Sequence, residues 1–83
     1  MKYFIYILEC RDGTLYVGIT NDLEKRIEAH NCGKGAKYTR GRTPVMLKYF
    51  EELTGRSDAT KREMEIKKLS KVKKNHLLSE WKK

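Results

Sequence analysis

Residues 4–20, FIYILECRDGTLYVGIT, set aliphatic side chains against aromatic or polar ones with the period of two expected of paired strands. The Asp12-Gly13 pair between the two runs suits either a two-residue turn or a three-residue loop with Gly13 as the left-handed bulge residue. The two-residue loop would set Tyr6 opposite Ile19 and mix polar with apolar on both faces. The three-residue loop pairs Cys10 with Thr14 and sorts the faces better. Ile5 and Ile7 then meet Val17 and Ile19, and Leu15 falls opposite Glu9, giving a mainly aliphatic face. The other face carries Tyr6 opposite Gly18 and Leu8 opposite Tyr16. In this register the tyrosines are diagonal neighbours, roughly 7–8 Å apart at the backbone. Gly18 leaves open space beside Tyr6.

The following segment, TNDLEKRIEAHNCG, predicts a helix capped by Asn21 or Asp22, with Leu23 and Ile27 as its apolar stripe and Gly33 at its end. Arg26 and His30 are four apart and share a face beside that stripe. Residues 33–44 are glycine-rich and basic, with Lys34, Lys37, Arg40 and Arg42 around Tyr38. They predict a loop with room for a short helical turn, stopped by Pro44. VMLKYFEEL reads as a third strand, and TGRSD as a turn with a helix cap at Ser57 or Asp58. A helix over residues 59–72 would turn Ala59, Ile66, Leu69 and Val72 inward, with Glu63 on the flank of that stripe. A last helical segment packs through Leu77, Leu78 and Trp81. The order strand, strand, helix, strand, helix, helix predicts one α+β domain over residues 1–83, with a three-stranded antiparallel sheet flanked by helices.

Composition adds a partner class. The chain of 83 residues has 19 Lys and Arg against 11 Asp and Glu, a net charge of +8. In so small a domain that excess points to a polyanion, nucleic acid before an anionic membrane. No apolar run approaches the roughly 18 residues of a membrane span. The apolar start runs straight into the hairpin, so we expect no signal peptide and no membrane partner. Two cysteines without a CxxC pair fit a reduced, cytoplasmic protein.

Several chemistries fit poorly. Cys10, His30, Cys32 and His76 lack the spacing of a zinc finger. Cys10 closes a strand and has no evident orienting partner as a nucleophile. GKG lacks the context and terminal Lys-Ser/Thr of a P-loop. What remains is tyrosine, arginine, histidine and a flanking carboxylate. Phosphodiester hydrolysis needs a proton acceptor for water, a cation near the developing charge, and usually a divalent metal. A phenol of pKa about 10 is a poor base at neutral pH, so it needs cationic neighbours or a metal-bound water. Arg26 offers the charge, and Glu63 offers a carboxylate for one Mg²⁺. Taken singly, each group has a plainer role. The tyrosines suit a half-buried sheet, Arg26 a solvated helix, His30 a helix end, Glu63 a pairing with Lys67, and Asn75 a helix cap.

Tyr6-Ile7-Leu8 followed by Tyr16-Val17-Gly18 resembles the paired motif of the GIY-YIG nuclease domain. DLEKR ending in Arg26, then His30, Glu63 and Asn75, continue that pattern in order from Tyr3 to about Lys74. HNCGKGAKYTRGRTP is similar to small stand-alone members related to the nuclease domain of the excision-repair endonuclease. Two positions depart from the pattern: Ile5 precedes the first tyrosine where the motif has glycine, and Ile19 stands where some members have lysine.

The resemblance implies an endonuclease that hydrolyses DNA with one Mg²⁺ or Mn²⁺ ion, in repair or recombination; RNA remains open as a substrate. Tyr6 or Tyr16 would relay or accept the water's proton, Arg26 would stabilise the transition state, and His30 would assist. Glu63 would ligate the metal and Asn75 would brace the site. Lys34, Lys37, Tyr38, Arg40 and Arg42 would contact nucleic acid. The chain is expected to act as a monomer or weak homodimer. The alternative expectation is a nucleic-acid-binding module with little catalysis; a third is an interaction domain docking through Trp81.

Overall fold

The computed structural model describes residues 2–81; the side chain of Trp81, expected to pack, lies outside the described residues. Strands β1 (Tyr3–Glu9), β2 (Leu15–Thr20) and β3 (Met46–Leu53) form an antiparallel sheet in the order β2-β1-β3. Helix α1 (Leu23–Asn31) follows the hairpin, and α2 (Arg56–Lys67) and α3 (Lys71–Trp81) follow β3. The central strand explains its own composition. Ile5, Tyr6, Ile7 and Leu8 are all buried, because β1 is covered on both faces and needs no polar alternation. Each aliphatic side chain so buried contributes about 1.5–3 kcal/mol.

The hairpin has the three-residue loop. Cys10 N donates to Thr14 O at 2.8 Å, and Gly13 takes φ +85°. Asp12 Oδ1 accepts from the Thr14 amide at 3.1 Å and from its hydroxyl at 2.6 Å, which tightens the turn. The register sets Ile5 against Ile19, Ile7 against Val17, Tyr6 against Gly18 and Leu8 against Tyr16. On the other side of β1 the pairing slips between Ile7 and Leu8, where Tyr49 and Leu47 are the partners and Lys48 is the extra residue.

The two sheet faces are separate cores. Ile5, Ile7, Val17 and Tyr49 pack with Ala59 and Ile66 of α2, joined by Leu77 and Leu78 of α3. Tyr6, Leu8, Cys10 and Val45 pack with Tyr16, Leu47, Phe50 and the α1 residues Leu23 and Ile27. Both tyrosines of the paired motif therefore lie on the α1 side. Asp22 is the cap of α1, accepting from Lys25 N at 3.2 Å.

The second half departs from expectation in three places. Helix α2 begins at Arg56 behind Gly55, with no side-chain cap, so neither Ser57 nor Asp58 serves. The helix stops at Lys67, and Ser70 Oγ accepts from Lys73 N at 3.2 Å to start α3. That break turns Val72 out of the core, leaving it 77% exposed, whereas Leu69 stays half-buried. A polar clamp adds to the apolar packing of α2 on the sheet through Ala59 and Ile66. Arg62 donates to both oxygens of Glu51, Nε to Oε1 and Nη2 to Oε2 each at 2.9 Å, and the Tyr49 hydroxyl donates to Glu51 as well. Burial, then Glu51, push the Tyr49 phenol up to about 12. Burial alone would raise Glu51; its bonds from Arg62 and Tyr49 outweigh that and hold it below the usual carboxylate range. Among the described residues, no helix is long and apolar enough to cross a membrane.

Candidate active site

Strand alternation turns Tyr6 and Tyr16 to one face, and the four-residue spacing of α1 turns Arg26 and His30 toward them. The Tyr6 oxygen lies 3.0 Å from His30 Nε2, and Arg26 Nε donates to it at 3.4 Å. The Tyr16 ring stands edge-on to His30 at 5.1 Å between centroids and lies 6.2 Å from the Tyr6 ring. Tyr6 and His30 are closed from solvent, whereas Tyr16 is half-buried.

Two glycines make this packing possible. A Cβ on Gly18 would meet the Tyr6 hydroxyl and ring inside contact distance. A Cβ on Gly35 would likewise strike the His30 ring, so Gly35 lets the basic loop close over the imidazole. That closure delivers Thr39, a residue that no sequence motif singles out. Thr39 is fully buried; its hydroxyl lies 2.8 Å from His30 Nδ1 and donates to Ala36 O at 3.0 Å. A hydroxyl has one hydrogen, so Thr39 accepts from His30 Nδ1–H, and Nε2 is left bare to accept from the Tyr6 hydroxyl. The Ala36 amide also approaches Nδ1, at 3.4 Å, and is the weaker competitor.

The electrostatics agree with a neutral imidazole. Burial, and then the Arg26 charge, press His30 below its usual value, so it is neutral at pH 7. Burial raises Tyr6; the Arg26 hydrogen bond pulls the other way, and Tyr16 and the Glu63 carboxylate add to the rise. The bond to Tyr6 in turn raises Arg26.

Glu63 comes from the opposite side of the sheet, on α2, which packs against the edge strand β2 and against β1. Its side chain is only 16% exposed and pairs with Lys67 at 3.4 Å. It is near enough for its charge to act on Tyr6. Among the described residues, no three His, Cys, Asp or Glu gather as a metal cluster. One sheltered carboxylate within electrostatic reach of the Tyr6 phenol is a donor set that suits Mg²⁺, which keeps several waters and takes phosphate oxygens as further ligands.

The other expected residues divide. Asn75 is exposed on α3, in a groove with Leu69, Val72 and His76, and the hydrogen bonds of the tyrosine network do not include it. Lys34, Lys37 and Arg40 lie on the basic loop and are all exposed. Arg42 is held within that loop: it pairs with Asp12 at 3.0 Å, donates to Tyr38 O at 2.9 Å, and lies 4.6 Å over the Tyr38 ring. Tyr38 itself packs 5.8 Å from Tyr16. Ile19 is half-buried against the α2-side core.

Residues 2–76 match the model of the GIY-YIG catalytic domain. A UPF0213 protein of Staphylococcus saprophyticus is 54% identical over 79 residues, covering 95% of this chain and 96% of that protein. A UPF0213 protein of Clostridium perfringens is 57% identical over 76 residues, covering 92% of this chain and 82% of its own length. The solution structure of a UPF0213 protein from Bacillus halodurans superposes with a TM-score of 0.63 at 47% identity, covering 95% of this chain and 84% of that one. With its paired tyrosine strands and the α1 arginine and histidine, the chain belongs to the GIY-YIG nuclease-like domain family, among the small UPF0213 proteins.

Proposed function

We propose that this protein is a metal-dependent endonuclease that hydrolyses phosphodiester bonds in DNA, in repair or recombination. The observation that carries the reading is the Tyr6 phenol held between a neutral imidazole and a guanidinium. A neutral His30 Nε2 accepts the phenolic proton as the Tyr6 oxygen, closed from bulk solvent, takes one from an attacking water admitted with the substrate past the more open Tyr16. The Arg26 charge favours the transient phenolate and then the extra negative charge on phosphorus. Tyr16, the more accessible phenol, faces the substrate and orients the water. Thr39 holds the imidazole in its tautomer. Glu63 would hold the Mg²⁺ or Mn²⁺, which when bound supplies Lewis-acid stabilisation of the phosphate and a more acidic water. Lys34, Lys37 and Arg40 of the basic loop attract the backbone.

The test is cleavage of branched, nicked and single-stranded DNA with Mg²⁺ or Mn²⁺. Arg26→Ala and Glu63→Ala should each remove most of the activity while circular dichroism is unchanged. Cutting at the wild-type rate by both variants refutes the assignment. A second reading, a binding module with little catalysis, draws support from the Lys67 ammonium already paired with Glu63. Salt-sensitive DNA binding with no metal-dependent product favours it.

A further inference from the structure

A second basic surface lies beside Tyr16, built from parts the hydrolytic chemistry does not use. Thr14 and Leu15 at the start of β2, Tyr38 of the loop, and Lys71 and Lys74 at the start of α3 line an open groove of about 210 Å³. Three elements distant in the chain converge here. Lys71 Nζ donates to Gly13 O at 3.3 Å, which ties α3 to the hairpin and leaves two ammonium hydrogens uncommitted by that bond.

Tyr38 is held as a platform. Arg42 lies over its ring and also bonds its carbonyl, and Asp12 fixes Arg42 from behind. The Tyr16 ring packs at a 31° tilt on Tyr38. With those contacts made, Tyr38 is still 42% exposed. An aromatic ring fixed by its own protein but 42% exposed beside two lysines offers what a nucleotide requires: aromatic surface for the base and cations for the phosphate.

We propose that Tyr38, Lys71 and Lys74 form a nucleotide subsite next to the reacting phosphate, which takes an unpaired base on Tyr38 and its backbone phosphate on the lysines. The base must leave a duplex stack to lie on the ring, so the preferred strand is single-stranded at that position. This rests on the hydrolytic reading only for the direction of the strand past Tyr16; occupancy of the subsite requires neither metal nor turnover.

The experiment measures fluorescence anisotropy of a labelled 12-nucleotide oligothymidylate, and of a blunt duplex of equal length, in EDTA. The full chain should bind the single strand more tightly than the duplex. Tyr38→Ala should weaken single-strand binding about 5-fold or more, the range a base stacked on an aromatic ring supplies, and Tyr38→Phe should retain it. Lys74→Ala should lower the slope of log K against log salt by about 0.7, the value for one phosphate contact on a single strand. The proposal is overturned if Tyr38→Ala, folded by circular dichroism, binds as wild type does, or if the duplex binds as tightly as the single strand. Cleavage with Mn²⁺, run separately, tells the two readings apart. A wild type that cuts while Tyr38→Ala binds unchanged removes the subsite alone. A wild type that binds through Tyr38 but never cuts upholds the subsite and removes the hydrolytic reading.

Discussion

Tyr6 and His30 share a 3.0 Å hydrogen bond inside the protein, although they come from a strand and a helix 24 residues apart. The bond makes a testable pair. Tyr6→Phe keeps the ring in place but leaves Nε2 buried without its donor, at a cost of about 1–3 kcal/mol. In the proposed reaction it also removes the group that handles the proton, so cleavage should fall about 10²- to 10⁴-fold. Denaturant unfolding and a cleavage assay on the same preparation check both figures.

The depressed pKa of His30 sets an acid limit. The imidazole accepts only while neutral, so activity should hold at pH 7 and fall as pH drops through a midpoint below the ordinary 6.5. Stability follows the same sign. Between 6.5 and the lower folded value the unfolded chain binds a proton that the native state refuses. The native state therefore loses stability as pH falls across that window and is unaffected by this group above it. Urea midpoints between pH 5 and 8 would show the decline, and His30→Gln should flatten it.

Gly18→Ala tests the notch beside Tyr6. The added methyl enters the space of the Tyr6 hydroxyl, and a buried, hydrogen-bonded phenol has little room to yield. Overpacking of this kind costs about 1–3 kcal/mol. Displacement of the phenol should also lower activity beyond what the lost stability explains, a difference visible as reduced turnover well below the melting temperature.

The Glu51 clamp predicts a spectroscopic change. In Glu51→Ala the Tyr49 phenol loses its acceptor and the nearby charge, and its ionisation should move down from about 12 while staying above 10, because burial, the larger cause, remains. Absorbance titration of tyrosinate, taken as the difference from wild type, reads that shift. In the wild type a folded value above 10 means that the contribution of Tyr49 is complete below pH 10 in the direction of the protonated phenol, and that the native state loses stability between about 10 and 12 as the unfolded chain ionises first. Loss of the two-pronged Arg62 contact should also cost about 1–2 kcal/mol, since the pair is only partly buried.

The sheet was legible because side-chain alternation and turn chemistry are local. Asp12-Gly13 with Cys10 and Thr14 fixed the hairpin, and that register alone placed Gly18 across from Tyr6. The end of α2 was not legible in the same way. Leu69 and Val72 continue a helical stripe, and only Ser70, an ordinary residue in a run of lysines, marks the new start. Arg26 and His30 could be placed by spacing, but not Thr39. Its role depends on a loop folding back over α1, which Gly35 permits and no periodic pattern announces. The commitment of Arg42 to Asp12 spans 30 residues and is equally invisible to a count of basic side chains. The position of Asn75 depends on the break at Ser70, which moves everything downstream out of the register of one continuous helix.

The chain from Tyr6 through His30 and Thr39 finishes at the carbonyl of Ala36, an atom with no hydrogen to pass on. In the proposed reaction, a proton that enters along this route has no exit at the far end. It must come back out through the phenol to reach the departing oxygen or the solvent, so the enzyme would reset only by reversing its first transfer. Such a blind-ended path couples readiness for the next cut to clearance of the last product.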